Sequence, residues 1–461
     1  MNTAWRYELF DHLEIQQQFQ SVATPDPAFG VLMSFYDEKT VLSHLAEPLR
    51  EHQSFEIDYA LVLNVRHIFG KRFQVVYQAG NKQNSHHSLN LSVHFYPQKR
   101  DGRPFQKNRF LAAEPTNSID LPGWSAVAFV FPDDPALPAL SRMIQPETAV
   151  HSLTRHCGLS SEQEQIDWKI FAYHPGERAT ILHRGADFRV IGKITRDRSV
   201  VATHQQMTAL WHCPNRAFRM PRPTGLEEES GIRWESFLPG KRLESIFSNI
   251  DFTRFLEKTC EALVNLHGLH IDNLPLNNRE VVLKRMKKKM IPRISASLSP
   301  LSQEIQAYFD CLLEKERNLP ERKPVTIHGD LHTGNILIES GEITLIDFDA
   351  LAMGDPAYDL ALLGSRLFML ARVKGECIKE AADAVALLPD IYQAAGGASI
   401  SDKTFAWYLA ALLVGRQLKT CVRERTPDLG RLAPYLIRLS RRLLETGGLR
   451  PLHTTHHVMN E

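Results

Sequence analysis

The chain has 461 residues, 43% hydrophobic and 23% charged, enough to bury a core in more than one domain. A formal net charge of +1 excludes a bulk electrostatic pull toward nucleic acid or an anionic membrane. Its six cysteines are scattered without a CxxC pair, which argues against a zinc site or a disulfide framework and fits a reducing cytoplasm.

Residues 1–18 lack a basic stretch followed by an apolar one, so no signal peptide is expected. Residues 55–79 (FEIDYALVLNVRHIFGKRFQVVYQA) are an apolar run, a turn at Gly70 and a second alternating run, the pattern of a hairpin. Residues 164–185 (EQIDWKIFAYHPGERATILHRG) repeat it: Gly176 matches Gly70, Arg178 matches Arg72, and Asp167 lies near the register of Asp58. This is a weak internal repeat. The copies then diverge, because FRVIGKIT carries Lys193 whereas LNLSVHFYP has no lysine. Residues 111–150, rich in proline, read as a connector with one strand at 126–131.

From about residue 241 the pattern becomes helical, with Phe252, Phe255, Leu256, Cys260, Leu263 and Leu266 on one face. Residues 279–293 form a basic amphipathic segment ended by Pro292, and a helix follows at about 301–317. Lys284, Arg285, Lys287, Lys288 and Lys289 read as a solvated face, with contact to an acidic substrate as the alternative. Helices run to about 447; the apolar run 405–415 is too short to span a bilayer and reads as a buried helix. The tail from 452, with His453, His456 and His457, is expected to be disordered.

Between apolar runs stands TIHGDLHTGNILI, residues 326–338. Asp330 and Asn335 share its loop, and Asp347 ends the next apolar run, so a hairpin would set Asn335 beside Asp347. Magnesium prefers oxygen ligands and takes few of them from protein, which suits one Asn carbonyl and one Asp carboxylate. Asp330 would then stand near enough to accept a hydroxyl proton, the arrangement used by kinases in phosphoryl transfer. His332 reads as an ordinary loop residue.

HGDLHTGNIL, followed by IDFD and GDPAYDLA, resembles the phosphotransferase family of aminoglycoside kinases and choline kinases. That family shares the protein kinase-like fold. HPGER and FPDDPALPALSRM resemble a bacterial subgroup with an extra N-terminal β segment. The resemblance implies an α+β, bilobal fold: an N-terminal α/β segment at 1–150, read as a degenerate repeat of the small lobe, a β-rich small lobe at 151–240, and a helical large lobe at 241–450. It implies Asp330 as catalytic base, His328 as a brace for the loop, and Asp359 as its cap from the following helix. It makes Asn335 and Asp347 ligands of Mg2+, and puts Lys193, with Arg178, on the phosphates of ATP. WESFLPGKRL then resembles the hinge, with Glu235 and Phe237 at the nucleotide.

The chain departs from the family in three places. No glutamate follows Lys193 in ITRDRSVVATHQQMTALWH, so Gln205 or Gln206 would have to support the lysine, more weakly than a carboxylate. No G-x-G-x-x-G is present, leaving YHPGERA to cover the phosphates, and Asp347 is followed by Phe348-Asp349. The first copy, lacking the lysine, should not hold a nucleotide. The expected activity is ATP- and magnesium-dependent phosphorylation of a hydroxyl on a small molecule such as a sugar, aminoglycoside or amino alcohol, in the cytoplasm, without nucleic acid or membrane as partner. The alternative is a kinase-like module that senses nucleotide or docks a partner.

Overall fold

A computed structural model describes residues 23–29, 35, 37–83, 88–97, 118–159, 166–196, 199–426 and 428–452. Helix α1 (Glu38–Gln53) starts at Asp37, whose carboxylate accepts the Thr40 amide at 3.1 Å and so satisfies one unpaired donor of the first turn. Strands β1 (Tyr59–Ile68), β2 (Arg72–Gly80), β3 (Ser88–Phe95), β4 (Ser118–Leu121) and β5 (Ala126–Val130) then form a sheet of order β1-β2-β3-β5-β4. The proline-rich connector therefore holds more structure than its composition suggests. It contributes β4 as well as β5, and then α2 (Pro146–Cys157), which opens on a proline at its first position, where no amide partner is lost. Residues 111–117 lie outside the described residues.

The second sheet contains β6 (Asp167–His174), β7 (Arg178–Arg184), β8 (Arg189–Thr195), β9 (Pro223–Glu227) and β10 (Ile232–Ser236), with α3 (Val200–Trp211) after β8. Its order is β6-β7-β8-β10-β9, the order of the first sheet. Both first strands carry a register shift, between Val62 and Asn64 and between Ile170 and Ala172. Both hairpins turn on a left-handed glycine, Gly70 (φ 65) and Gly176 (φ 72), a conformation that costs glycine little. Each glycine amide donates to an aspartate at 2.7 Å, Gly70 to Asp26 and Gly176 to Asp134. The same carboxylate oxygens meet His67 Nε2 at 2.8 Å in one sheet and the Tyr173 hydroxyl at 3.0 Å in the other.

The helical part begins with β11 (Lys241–Arg242), α4 (Phe252–Gly268), β12 (Leu276–Asn277), α5 (Arg279–Arg285), α6 (Ile291–Ser297) and α7 (Ser302–Glu316). Pro292 does not end the basic segment. A π turn at Met286–Met290 joins α5 to α6, and Pro292 stands in the first turn of α6, where a missing amide is tolerated. Strands β13 (Val325–Ile327), β14 (Ile336–Glu339), β15 (Glu342–Leu345) and β16 (Ala352–Gly354) make two small sheets, β11-β14-β15 and β12-β16-β13. Helices α8 (Pro356–Lys374), α9 (Ile378–Ala394), α10 (Asp402–Leu412), α11 (Lys419–Glu424) and α12 (Leu429–Thr446) complete it, with a π turn at Leu413–Leu418 between α10 and α11.

One cluster of buried apolar side chains includes Phe73, Val75 and Tyr77 of the first sheet together with the interiors of α4, α8, α10 and α12. A separate cluster, around Leu140, Ile181 and Trp234, fills the far face of the second sheet. All six cysteines are free, and no described helix is long and apolar enough to cross a membrane. The tail histidines 453, 456 and 457 lie outside the described residues.

Candidate active site

The polar loop is held from behind. Asp359, fully buried in the first turn of α8, accepts the amides of His328 at 2.7 Å and Gly329 at 2.9 Å, and it also meets His267 Nε2 at 3.2 Å. Gly329 has φ 73, and a Cβ there would lie 2.0 Å from the Ala350 carbonyl oxygen, so only glycine fits. His328 is buried, its Nε2 donates to the Ile346 carbonyl at 3.0 Å, and its ring lies against Phe348 with centroids 4.6 Å apart. It therefore fastens the loop to the segment that carries Asp347.

The hairpin β14–β15 brings the two halves of the site together. Ile336 pairs with Leu345, and the Ile346 amide donates to the Asn335 carbonyl at 3.0 Å. The Asn335 side-chain nitrogen donates to the Asp330 carbonyl at 2.9 Å, which leaves Oδ1 as the atom with which Asn335 could reach a cation. Asp347 follows with φ 68, a left-handed conformation costing a non-glycine residue about 1–3 kcal/mol, the sort of strain found at functional sites. Burial alone would raise its pKa, yet Lys193, Arg178 and Arg233 together hold the carboxylate well below the usual range. Among the described residues no group of three or more His, Cys, Asp or Glu could hold a metal. The Asn–Asp pair fits magnesium, which keeps waters and substrate phosphates as its other ligands.

Lys193 on β8 is buried between two carboxylates, Glu235 at 2.8 Å and Asp347 at 3.1 Å. The support sought at Gln205 or Gln206 thus comes from the neighbouring strand β10, while Gln205 is exposed on α3. Glu235, read as a nucleotide contact, has its carboxylate on the lysine, and the Phe237 amide donates to the Arg189 carbonyl at 3.1 Å. Arg233, opposite Lys193 across the strand pair, is fully buried, ion-paired with Asp349 and 3.6 Å from Glu235. Two buried cations therefore stand among three carboxylates, and the carboxylates raise the lysine pKa further than burial lowers it.

Asp330 behaves differently. Burial raises its pKa, Asp347 adds to the rise, and its ion-pair partner Arg416 opposes it. Arg416 comes from the π turn between α10 and α11, and nothing in the loop motif announces it. His332, whose Nδ1 accepts the Gly334 amide at 3.0 Å, is pushed down to about 3 by burial and then by Arg366 and Arg416, so it is neutral.

Two cavities meet at this point. One, of about 640 Å³, is lined by Lys193, Glu235, Phe237, Asn335, Asp347 and Asp349. The other, of about 440 Å³, contains Asp330 and Arg416. Arg178, His174 and His332 line both.

Residues 176–374 match the family model of the phosphotransferase enzyme family. The match includes the Gly176 turn, Lys193, the loop with Asp330 and Asn335, Asp347 and Asp359. It bears out the resemblance read from the loop motifs, and with it the small-molecule kinase and the kinase-like α+β fold. A search of curated proteins gave no match. Among solved structures, the chain is similar to a choline kinase from Cryptosporidium parvum Iowa II at 12% identity, covering 68% of this chain and 99% of that one, with a TM-score of 0.48. It is similar also to a spectinomycin phosphotransferase in complex with ADP and spectinomycin, at 13% identity, 68% and 98% coverage and a TM-score of 0.45. A choline kinase from Streptococcus pneumoniae gives 13%, 65% and 98%, and 0.46.

Proposed function

We propose that the protein transfers the terminal phosphoryl group of ATP, with magnesium, to a hydroxyl of a small molecule. The observation that carries this reading is the meeting of the two cavities, with Asp347 and Lys193 on one side and Asp330 on the other. In it the larger cavity takes the nucleotide: Lys193, steadied by Glu235, binds its phosphates, and Arg178 stands at the boundary. Asn335 and Asp347 would hold Mg2+, which neutralises phosphate charge when bound. Asp330 orients the acceptor hydroxyl and takes its proton as the new O–P bond forms and the bond to the ADP oxygen breaks. Its raised pKa suits a base. The free cysteines support the cytoplasm as the compartment.

The same reading takes the first sheet as a degenerate copy of the second, the second unit starting at the Asp134 turn. Equal strand order and the paired Asp–Gly turns support it. In the first copy His94 stands opposite Gln74 as Lys193 stands opposite Thr180, and Val127 and Phe129 occupy the places of Arg233 and Glu235. His94 is half-buried and pushed down to about 3 by burial and by Arg72, so this copy has no cation at the phosphate-binding position.

Asp330→Asn should lower turnover by about 10²–10⁴-fold, as expected for loss of a general base. A variant retaining most of its activity would exclude the assigned role. Asp347→Ala should remove the stabilisation by Mg–ATP that a thermal-shift titration reads. An unaltered shift would exclude Asp347 as the metal ligand.

A further inference from the structure

The smaller cavity reveals the charge of what it receives. Its floor is Asp330, the group that faces the acceptor in the reading above, and this inference rests on that assignment. One wall is the helical part, which contributes Arg366 from α8, Arg416 from the π turn and Arg423 from α11; Arg178 stands at the border. Four guanidinium groups thus face two carboxylates, Asp330 and Glu424, the latter 2.8 Å from Arg423. The two histidines in the lining do not alter this balance by charging, being pushed down to about 4 (His174) and about 3 (His332) by burial and neighbouring arginines. Lys419, on α11 between Arg416 and Arg423 in sequence, is pushed down to about 8, by burial and then by Arg416, Arg423, Arg293 and Arg285.

Another part of the lining belongs to the first sheet. Asn64 on β1, Gln78 on β2 and Asn90 on β3 line it. Asn64 lies opposite Val76 and Asn90 opposite Gln78, so the three amides share one face of the sheet. Asn90 Oδ1 is buried without a hydrogen-bond partner among the described residues. Such an atom costs about 1–3 kcal/mol when left unmade, so its presence at a cavity points to a donor that arrives with the ligand.

We propose that the acceptor is a polyhydroxyl compound that already bears an anionic group, a phosphate or a carboxylate. The anion is held by Arg366, Arg416 and Arg423, and its hydroxyls are read by the amides of the first sheet. An aminoglycoside or amino alcohol brings an ammonium group into the same field and is repelled.

The test is calorimetric titration of the full-length protein with matched sets: a neutral sugar, its phosphate ester, its sugar acid and its amino sugar. The expected result is tighter binding of at least one anionic member than of the neutral parent, by about 10-fold or more, as one charge-assisted hydrogen bond provides. Phosphate esters and sugar acids are separate arms, so the data also tell which anion is meant. Arg423→Gln should reduce that preference several-fold and Arg423→Lys should retain most of it. Asn90→Leu should weaken every member of the set alike. Equal or tighter binding of the neutral or amino sugars, or no binding by any anionic member, overturns the proposal. Failure of the phosphotransferase reading shows up separately, as binding of an anionic acceptor with no ATP consumed on any acceptor.

Discussion

Neutralising Glu235 is the sharpest test of how Lys193 is held. The lysine has two partners, Glu235 at 2.8 Å and Asp347 at 3.1 Å, and Asp347 is the one a metal would claim. Glu235→Gln keeps the shape and one acceptor but removes the charge. A hydrogen bond to a charged group contributes about 1.5–3 kcal/mol and a neutral one about 0.5–1.5 kcal/mol, so the change costs about 1–1.5 kcal/mol. That corresponds to a fall of about 5–12-fold in kcat/KM for ATP. Glu235→Ala removes the bond altogether and leaves buried Arg233 short of a counter-charge, so its loss should be about 10–150-fold. The assay is ATP turnover at saturating magnesium and acceptor, with a thermal melt to confirm folding. If both Glu235 variants stay within about twofold of the wild type while Gln205→Ala or Gln206→Ala lowers kcat/KM, the lysine is supported from α3 and the reasoning is wrong.

Further outcomes follow from the loop and its surroundings. Gly329→Ala meets both a left-handed backbone and a carbonyl 2.0 Å from the new carbon, so the melting temperature should fall by several degrees, about 2–4 °C per kcal/mol lost; an unchanged melt would contradict the packing of Ala350 on the loop. Asp359→Asn exchanges an ionised acceptor of two amides for a neutral one and should cost about 2–4 kcal/mol in denaturant unfolding, a loss under about 0.5 kcal/mol counting against its anchoring role. Asp330, the proposed base, has a raised pKa, so kcat/KM should decline with falling pH at a value above the ordinary aspartate value of about 3.9. Arg416 lowers that pKa, so Arg416→Gln should move the limb to higher pH; a shift toward acid would show that Asp330 is not the titrating group.

The loop was legible because its parts lie close in sequence and their chemistry is specific. His328, Asp330, Asn335, Asp347 and Asp359 fall within about thirty residues of one another, and a hairpin between them needs only the apolar runs that flank it. Glu235 was visible as a residue but not as the partner of Lys193. That pairing depends on the register of β10 on β8, which sets Arg233 opposite Lys193, and register is a tertiary result. Arg416 was hidden for a similar reason: it lies 86 residues beyond Asp330, at the end of an apolar helix, and a π turn directs it inward. Proline misled twice. It marked residues 111–150 as a connector with a single strand, though β4 and the start of α2 lie there besides β5, and it was read as ending a helix that it begins.

The turn at Gly176 is fastened from outside its own sheet. Glu177 is ion-paired with Arg66 and lies 3.5 Å from Arg72, and the Pro175 carbonyl accepts the Gln74 side-chain Nε2 at 3.3 Å. All three partners belong to β1 and β2. A flap above a nucleotide ordinarily swings by itself to admit substrate and release product. On the proposed reading the Gly176 turn is such a flap, and moored to a neighbouring sheet it would lift only if the moorings broke or the N-terminal unit travelled with it. Trimming the chain to the segment that matches the family model would thus leave the turn at Gly176 without its anchor.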